Sequence, residues 1–453
     1  MQLEQVFERQ KAGVAERRLR FGLPERRAAL ARLEAVIRAR QGEICDAIAQ
    51  DLGRPAGESL LVEVLPLMQE IGQARRQLRR WMRPRRVWGG LAGLGTRARL
   101  VPQAKGVALI VAPWNYPVSL ALGPLVSALA AGCAAVVKPS ELAPASAAMV
   151  SRIVAEAFDP DLVAVVEGDR DVATRLLALP FDHIFFTGSP EVGKVVMAAA
   201  ARTLASVTLE LGGKSPCIIG PGADLAAAAR WVAFGKRINA GQTCIAPDHL
   251  LVHEAVAAPF LAALQAEYAR GDSATRIITP RHAGRLRALL AEAEAMGARR
   301  ITGGPGEGCA MPAVILEGMP EGSALTREEI FGPILPVVTW AGEAALLERL
   351  GAADVPLSLY LFERDRARID RICRAVAAGA VGVNLTLLQF SHAGLPFGGK
   401  GRSGQGQAHG AWGFAAFSHL MPVLENRFSP ARLLMPPLGA KGRRLLDLLL
   451  KWG

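Results

Sequence analysis

The sequence predicts an α/β protein built on parallel sheets, and three features point there. Short apolar runs alternate with helix-length segments between residues 106 and 384. The runs are apolar throughout rather than on every second residue, which suits strands covered on both faces. Polar and glycine-rich motifs stand where runs end, the place where open parallel sheets bind ligands.

Taken in order, residues 1–82 read as helices. Apolar positions between 26 and 48 recur every three to four residues, and Pro24 stands near a helix start. Residues 81–99 form a non-helical connector, broken by Pro84, Gly89, Gly90, Gly93 and Gly95. A first strand is expected over 106–112, a helix over 120–131, a second strand over 134–139 and a helix over 145–158. Further strands are expected over 162–167 and 183–186. The alternation resumes with a strand at 215–220, a helix at 225–239, a strand at 249–253 and helices at 259–270 and 281–297. Strands at 334–339 and 357–362, a helix at 365–378 and a strand at 382–384 complete it.

A chain of 453 residues has room for two or three domains, and 51% hydrophobic with 21% charged residues is a globular composition. No apolar run reaches the roughly 18 residues of a membrane span. The opening Met1-Gln2-Leu3-Glu4-Gln5 lacks the basic-then-apolar pattern of a secretory signal. Cys45, Cys133, Cys217, Cys244, Cys309 and Cys373 show no CxxC spacing, so neither a zinc site nor a disulfide framework is expected. No metal is expected, and the cytoplasm is the expected compartment. Net charge is +12, with 20 Lys/Arg against 11 Asp/Glu in the first hundred residues. Arginine outnumbers lysine along the whole chain, so a solvated arginine-rich surface is preferred to a nucleic-acid or membrane partner. No nucleic acid is expected.

Cys244 lies in Ala240-Gly241-Gln242-Thr243-Cys244-Ile245-Ala246-Pro247-Asp248, flanked by residues that suit a turn. Glu210, in Leu209-Glu210-Leu211-Gly212-Gly213-Lys214, stands 34 positions before it. A thiol is a strong nucleophile once deprotonated, and a carboxylate can take a proton from it or from water. Alone, such a cysteine is more often an inert core residue. Four further motifs surround the pair. Ala112-Pro113-Trp114-Asn115-Tyr116-Pro117 follows the first strand, and an Asn there can donate to an oxyanion, or simply form a turn. Lys138-Pro139-Ser140-Glu141 ends the second strand and can hold ribose hydroxyls, or be an ordinary ion pair. Phe185-Phe186-Thr187-Gly188-Ser189-Pro190 runs from strand to helix, where free N–H groups attract phosphate. Its spacing is not GxGxxG. Glu328-Glu329-Ile330-Phe331-Gly332-Pro333 offers a carboxylate for a ribose and a ring for a flat heterocycle, or a strand-entry turn.

The set in this order resembles the aldehyde dehydrogenase superfamily from about residue 15 to 428. Leu209-Glu210-Leu211-Gly212-Gly213-Lys214-Ser215-Pro216 and Gly241-Gln242-Thr243-Cys244 match its glutamate and cysteine signatures. The short N-terminus, Ala246-Pro247-Asp248 and Leu395-Pro396-Phe397-Gly398-Gly399 look most like class 3, including bacterial coniferyl-aldehyde dehydrogenases. The resemblance implies an aldehyde dehydrogenase-like fold: a Rossmann-type cofactor domain, an α/β catalytic domain and a small β oligomerisation element. By that resemblance residues 1–85 and 104–210 bind NAD(P), 211–398 are catalytic, and 86–103 with 417–428 oligomerise. Residues 429–453 are a tail.

The same resemblance makes Cys244 the nucleophile and Glu210 the base for the hydrolytic water. Asn115 and the Cys244 N–H form the oxyanion hole. Lys138 and Glu141 hold the adenosine ribose, Gly188 and Ser189 the pyrophosphate region and Glu329 the nicotinamide ribose, with Phe331 beside the nicotinamide. Tyr116 is a funnel residue for a hydrophobic or aromatic aldehyde. The implied reaction is NAD(P)-dependent oxidation of an aldehyde to its acid through a thiohemiacetal and a thioester. NAD and NADP stay open as the cofactor. A CoA-acylating enzyme is the nearest alternative, against which Glu210 argues, and a non-enzymatic membrane or nucleic-acid role is the other. The chain departs from the family at Gly399-Lys400-Gly401-Arg402-Ser403, at His392 and in a short 271–279 region. These departures bear on substrate identity. A homodimer joined through residues 88–103 and 419–427 is expected. The tail segment 443–452, leucine-rich between cations, is expected to lie on a membrane surface or a partner subunit.

Overall fold

A computed structural model describes residues 3–90, 93–320, 322–392 and 394–452. Met1, Gln2, Leu91, Ala92, Glu321, Ala393 and Gly453 lie outside the described residues, so the leader reading, the 81–99 connector, the 86–103 oligomerisation segment and the tail are addressed only in part. The N-terminal segment is helical, as its periodicity requires, and ends with the helix Leu65–Trp81. Just before it, Leu60–Val64 forms a π-turn, which shifts the phase of the side chains that follow.

The connector carries β1 (Arg85–Val87) and opens into β2 (Thr96–Ala104). The first apolar run then folds as β3 (Val107–Val111), and the helix Ser119–Ala131 returns to β4 (Ala134–Lys138), whose five residues are all buried. Strands β5 (Val163–Val165), β6 (His183–Gly188) and β7 (Ser206–Leu211) follow, separated by helices. The second half carries β8 (Pro216–Ile219), β9 (His249–His253), β10 (Arg299–Thr302), β11 (Val314–Glu317), β12 (Ile334–Trp340), β13 (Ser358–Phe362) and β14 (Ala380–Val383). Strands β15 (Gly404–Gln405) and β16 (Ser418–Asn426) close the set.

The strands form three sheets. One runs β15-β7-β6-β3-β4-β5 and is parallel except for β15. The second runs β10-β11-β12-β9-β8-β13-β14 and is parallel except for the β10 edge. The third is the antiparallel β1-β2-β16. In it the two segments expected to meet across a dimer pair with each other, Ser418 opposite Ala104 through Asn426 opposite Thr96. Among the described residues, β16 keeps one unpaired edge.

Register in the first sheet matters for function. Val111 lies beside Lys138 and Phe186, and Gly188 beside Leu211. The carboxyl ends of β3, β4, β6 and β7 therefore share one rim. That rim carries the segments holding Asn115, Lys138, Ser189 and Glu210.

Three differences from the sequence reading are physical. No strand was expected at β7, β10, β11 or β15; β10 is an edge of exposed arginines, without an apolar signature, and β15 has two residues. The helix expected to begin at Pro259 begins at Glu254, so Pro259 sits inside it rather than in its first turn, where proline is usual. The helix expected to reach residue 239 stops at Arg237, because Asn239 and Ala240 adopt left-handed φ values of 53° and 51°.

Candidate active site

That early stop creates the cysteine loop. After Asn239 and Ala240, Gly241 is also left-handed at φ 71°, and a Cβ there would lie 2.4 Å from the Gly332 carbonyl oxygen. Only glycine fits such a turn against another backbone. Three bonds then fix the loop. Ala246 N–H donates to the Thr243 carbonyl at 2.9 Å, Tyr360 Oη–H to the Ile245 carbonyl at 2.6 Å, and Asp248 N–H to the Ser215 carbonyl at 2.8 Å. Cys244 stands on this turn, half-buried, in the wall of a cavity of about 170 Å³. Burial pushes its thiol up to about 12. The nearby Glu329 and Glu210 carboxylates push the same way, while the N–H groups of Cys244 and Ile245 oppose them.

Glu210 enters the same cavity through strand geometry. Its neighbours Leu209 and Leu211 belong to the apolar core, so the period of two turns Glu210 to the other face. It lies between Thr187 of β6 and Gly404 of β15. Its side chain is 5% exposed, and neither carboxyl oxygen has a hydrogen-bond partner among the described residues. Burial alone drives its pKa well above the ordinary carboxylate range. A buried carboxyl without partners is costly to keep. Such a group suits a base that works on a transient partner, such as water.

Asn115 is buried, and its side-chain amide donates to the Gln242 carbonyl at 3.1 Å, two residues from the thiol. The amide nitrogen carries a second N–H able to serve an oxyanion. Tyr116 lines the cavity, and its hydroxyl lies 2.5 Å from Thr243 Oγ1. Burial raises its pKa.

Behind these groups lies a buried network that sequence reasoning missed. Arg54 and Glu63 are both fully buried and pair at 2.8 Å. Arg54 also donates to Asn239 Oδ1 at 2.6 Å and to the Asn115 carbonyl, and its guanidinium stands 4.9 Å from the Tyr116 ring centroid. Glu63 accepts from the N–H groups of Val118 and Ser119 at 3.0 and 2.8 Å. One ion pair thus ties the Asn115 loop, the start of the Ser119–Ala131 helix and the approach to Cys244. The available signal was Glu63, the one charge in Leu60-Leu61-Val62-Glu63-Val64-Leu65-Pro66-Leu67. Arg54→Met should cost about 3–5 kcal/mol, because it strands a buried carboxylate. Urea denaturation measures it, and a loss under about 1 kcal/mol would contradict this account. The double variant with Glu63→Leu should recover part of the loss.

Of the groups expected to hold a dinucleotide, Lys138, Gly188 and Ser189 stand on the rim, and Glu329 and Phe331 meet it from the segment before β12. Lys138 is buried, and its Nζ donates to the Pro139 carbonyl at 2.9 Å and to Glu141 Oε2 at 3.0 Å. Ser189, after Gly188, caps the helix Pro190–Thr203 by accepting from Val192 N–H. Arg402, one of the unexpected cations, pairs with Glu191 in that helix's first turn at 3.3 Å. Glu329 packs on Gly212, where a Cβ would come 2.1 Å from its carboxyl oxygen. Burial pushes Glu329 up to about 7. Phe331, at φ 50°, meets Trp114 edge-to-face at 5.4 Å. Hydroxyl-binding groups, a helix N-terminus and an aromatic wall fit a phosphate-linked dinucleotide.

Comparison with known proteins adds the family. The model of the aldehyde dehydrogenase family matches residues 8–423. A coniferyl aldehyde dehydrogenase of Pseudomonas sp. is 37% identical over 425 residues, covering 90% of this chain and 88% of that protein. Aldehyde dehydrogenase family 3 member B1 of Bos taurus is 38% identical over 413 residues, covering 89% and 87%. The substrate-bound structure of Staphylococcus aureus AldH superposes with a TM-score of 0.94 at 34% identity, covering 99% of this chain and all of that one.

Proposed function

The chain belongs to the aldehyde dehydrogenase family, and on that premise we propose that it oxidises a hydrophobic or aromatic aldehyde to the carboxylic acid with NAD or NADP. The observation that carries this reading is Glu210, buried with both carboxyl oxygens unpaired, in the same cavity as Cys244.

Cys244, as thiolate, forms a bond to the carbonyl carbon, and the oxygen becomes an anion. Asn115 Nδ2–H and the Cys244 N–H stabilise that charge, typically by about 3–4 kcal/mol per donor. A nicotinamide dinucleotide, when bound, would supply the acceptor for the hydride that leaves the carbon, and Cys244 would then hold the acyl group as a thioester. Glu210 takes a proton from water as its oxygen attacks the thioester. The C–S bond breaks, Cys244 leaves as thiolate, and the acid is released.

Lys138, Glu141, Gly188, Ser189, Glu329 and Phe331 hold the dinucleotide in this reading. Glu141 favours a free ribose 2′-hydroxyl. Leu61, Val62, Pro66, Leu120, Phe390 and Phe397 line the cavity with Tyr116, which favours an apolar acyl group. One relative is named for coniferyl aldehyde, an aromatic aldehyde. The sheet β15-β7-β6-β3-β4-β5 is assigned to the cofactor and the second sheet to catalysis. An aldehyde panel with NAD or NADP, with and without coenzyme A, tests the function. Free acid formed without coenzyme A is expected; an acyl-CoA requirement would replace hydrolysis with acyl transfer.

The six cysteines are free thiols, which fits a reducing cytoplasm. The unpaired edge of β16 suits a dimer contact. In the tail helix Ala440–Trp452, Leu446, Leu448 and Leu450 are exposed among Lys441, Arg443, Arg444 and Lys451. That pattern fits peripheral contact with an anionic membrane. No helix among the described residues is long and apolar enough to span one. Liposome co-sedimentation of the full chain against a version ending at Phe428 tests this. Equal sedimentation sinks the membrane contact and leaves a partner subunit as the cover.

A further inference from the structure

The cavity has a second polar locus that the mechanism does not use. Two helices form one wall, Leu65–Trp81 and Ser119–Ala131. The second of these begins just after Tyr116, whose hydroxyl touches the Thr243 side chain beside Cys244. Ser127 lies eight residues beyond Ser119, about 12 Å along the helix axis.

Glu70, on the facing helix, reaches the stretch between Gly123 and Ser127. Its Oε1 lies 3.5 Å from Ser127 Oγ, the outer limit of a hydrogen bond. Its Oε2 lies 3.2 Å from where a Cβ on Gly123 would be, so the glycine leaves room for the carboxyl. Glu70, Gly123 and Ser127 all line the cavity that contains Cys244. Among the described residues Glu70 enters no ion pair. Burial pushes its pKa up to about 8, so near neutral pH the group carries its proton and can donate it.

We propose that Glu70 is a specificity-determining residue, which recognises an oxygen acceptor at the end of the aldehyde remote from the carbonyl. The favoured substrates are then aldehydes with an apolar body and a distal ether or hydroxyl oxygen. This rests on Cys244 holding the reacting carbonyl, with the remote end of the acyl group reaching the Gly123–Ser127 stretch, one to two turns along the Ser119–Ala131 helix. The physical reason is asymmetric discrimination. Glu70 is only partly buried in the free cavity, and a bound acyl group completes its enclosure; a donor left unpaired in that state rejects a ligand more strongly than an apolar wall rejects a change of size.

The test compares 4-methoxycinnamaldehyde with 4-ethylcinnamaldehyde, which have nearly the same shape but differ in the distal oxygen. In the parent enzyme kcat/KM should favour the methoxy aldehyde by about tenfold, the worth of one good hydrogen bond. Glu70→Leu should bring the ratio near one. The parent's preference should fade as pH rises past about 8, since the ionised group no longer donates. Glu70→Gln, which keeps N–H donors, should hold a pH-independent preference. A parent ratio near one, no turnover of the methoxy aldehyde, or an equal loss for both aldehydes in Glu70→Leu would overturn the assignment. A merely structural Glu70 produces the last of these. Failure of the underlying reading looks different: Cys244→Ser would keep turning over both aldehydes, whatever their ratio.

Discussion

Cys244→Ser is expected to lower aldehyde oxidation by at least about 10⁴-fold, while dinucleotide binding persists. The groups on the sheet rim expected to bind the dinucleotide do not include the thiol. The loss is large because no other side chain can take over. Cys133 and Cys217 are fully buried in the core, and Cys45 is buried in the N-terminal helices. Cys309 and Cys373 do not line the cavity. A serine hydroxyl in the same apolar wall ionises even less readily than the thiol, itself pushed up to about 12. That raised value sets the direction of the pH dependence. The thiolate fraction of the free enzyme grows tenfold per pH unit at every pH below it, so alkylation of Cys244 should accelerate steadily from pH 7 to 9. Steady-state rates, with a fluorescence titration of NAD, check both halves. A serine variant within tenfold of the parent rate would remove Cys244 from the nucleophile's place.

Much of this site is legible in the residues, and what is not has identifiable causes. The β3 run and the motif after it are readable because a strand buried on both faces is continuously apolar. The pairing of Cys244 with Glu210 rests on family signatures; strand alternation then explains how Glu210 comes to face the cavity between two core leucines. Arg54 was unreadable, because its partners Glu63, Asn115 and Asn239 stand 9, 61 and 185 positions away. The end of the helix at Arg237 was unreadable too. Ala240 in a left-handed conformation carries no local signal, since alanine favours a helix. Only the packing of the loop around Gly241 and Gly332 imposes it. Glu70 looks in sequence like any charged residue on a helix surface. Its meaning appears only when the Ser119–Ala131 helix packs over it.

Glu210→Gln should produce two opposite effects, and their combination is diagnostic. Thioester hydrolysis should slow by about 10²–10³-fold, the usual worth of a positioned general base, with an initial burst of reduced dinucleotide preceding a slow steady state. Stability should rise. Glu210 has a folded pKa well above its ordinary value of 4.5, owing to burial. The folded protein therefore binds more protons than the unfolded chain between those two values. By linkage, stability is retained below the ordinary carboxyl range and falls as pH rises through that window. Glutamine has nearly the same shape and no charge, so it removes this penalty. The Tm advantage of the variant should be small near pH 4.5 and grow toward pH 8, reaching roughly 1–3 °C. A structural carboxyl would behave otherwise, since losing it would lower Tm and leave deacylation alone. On the proposed reading, a base kept buried without partners holds the enzyme below its maximum stability, and the cost is lifted when it is replaced. Thermal scans across that pH range, alongside burst kinetics, measure both effects. A lower Tm at pH 8, or an unchanged steady-state rate, would take Glu210 out of the role of base.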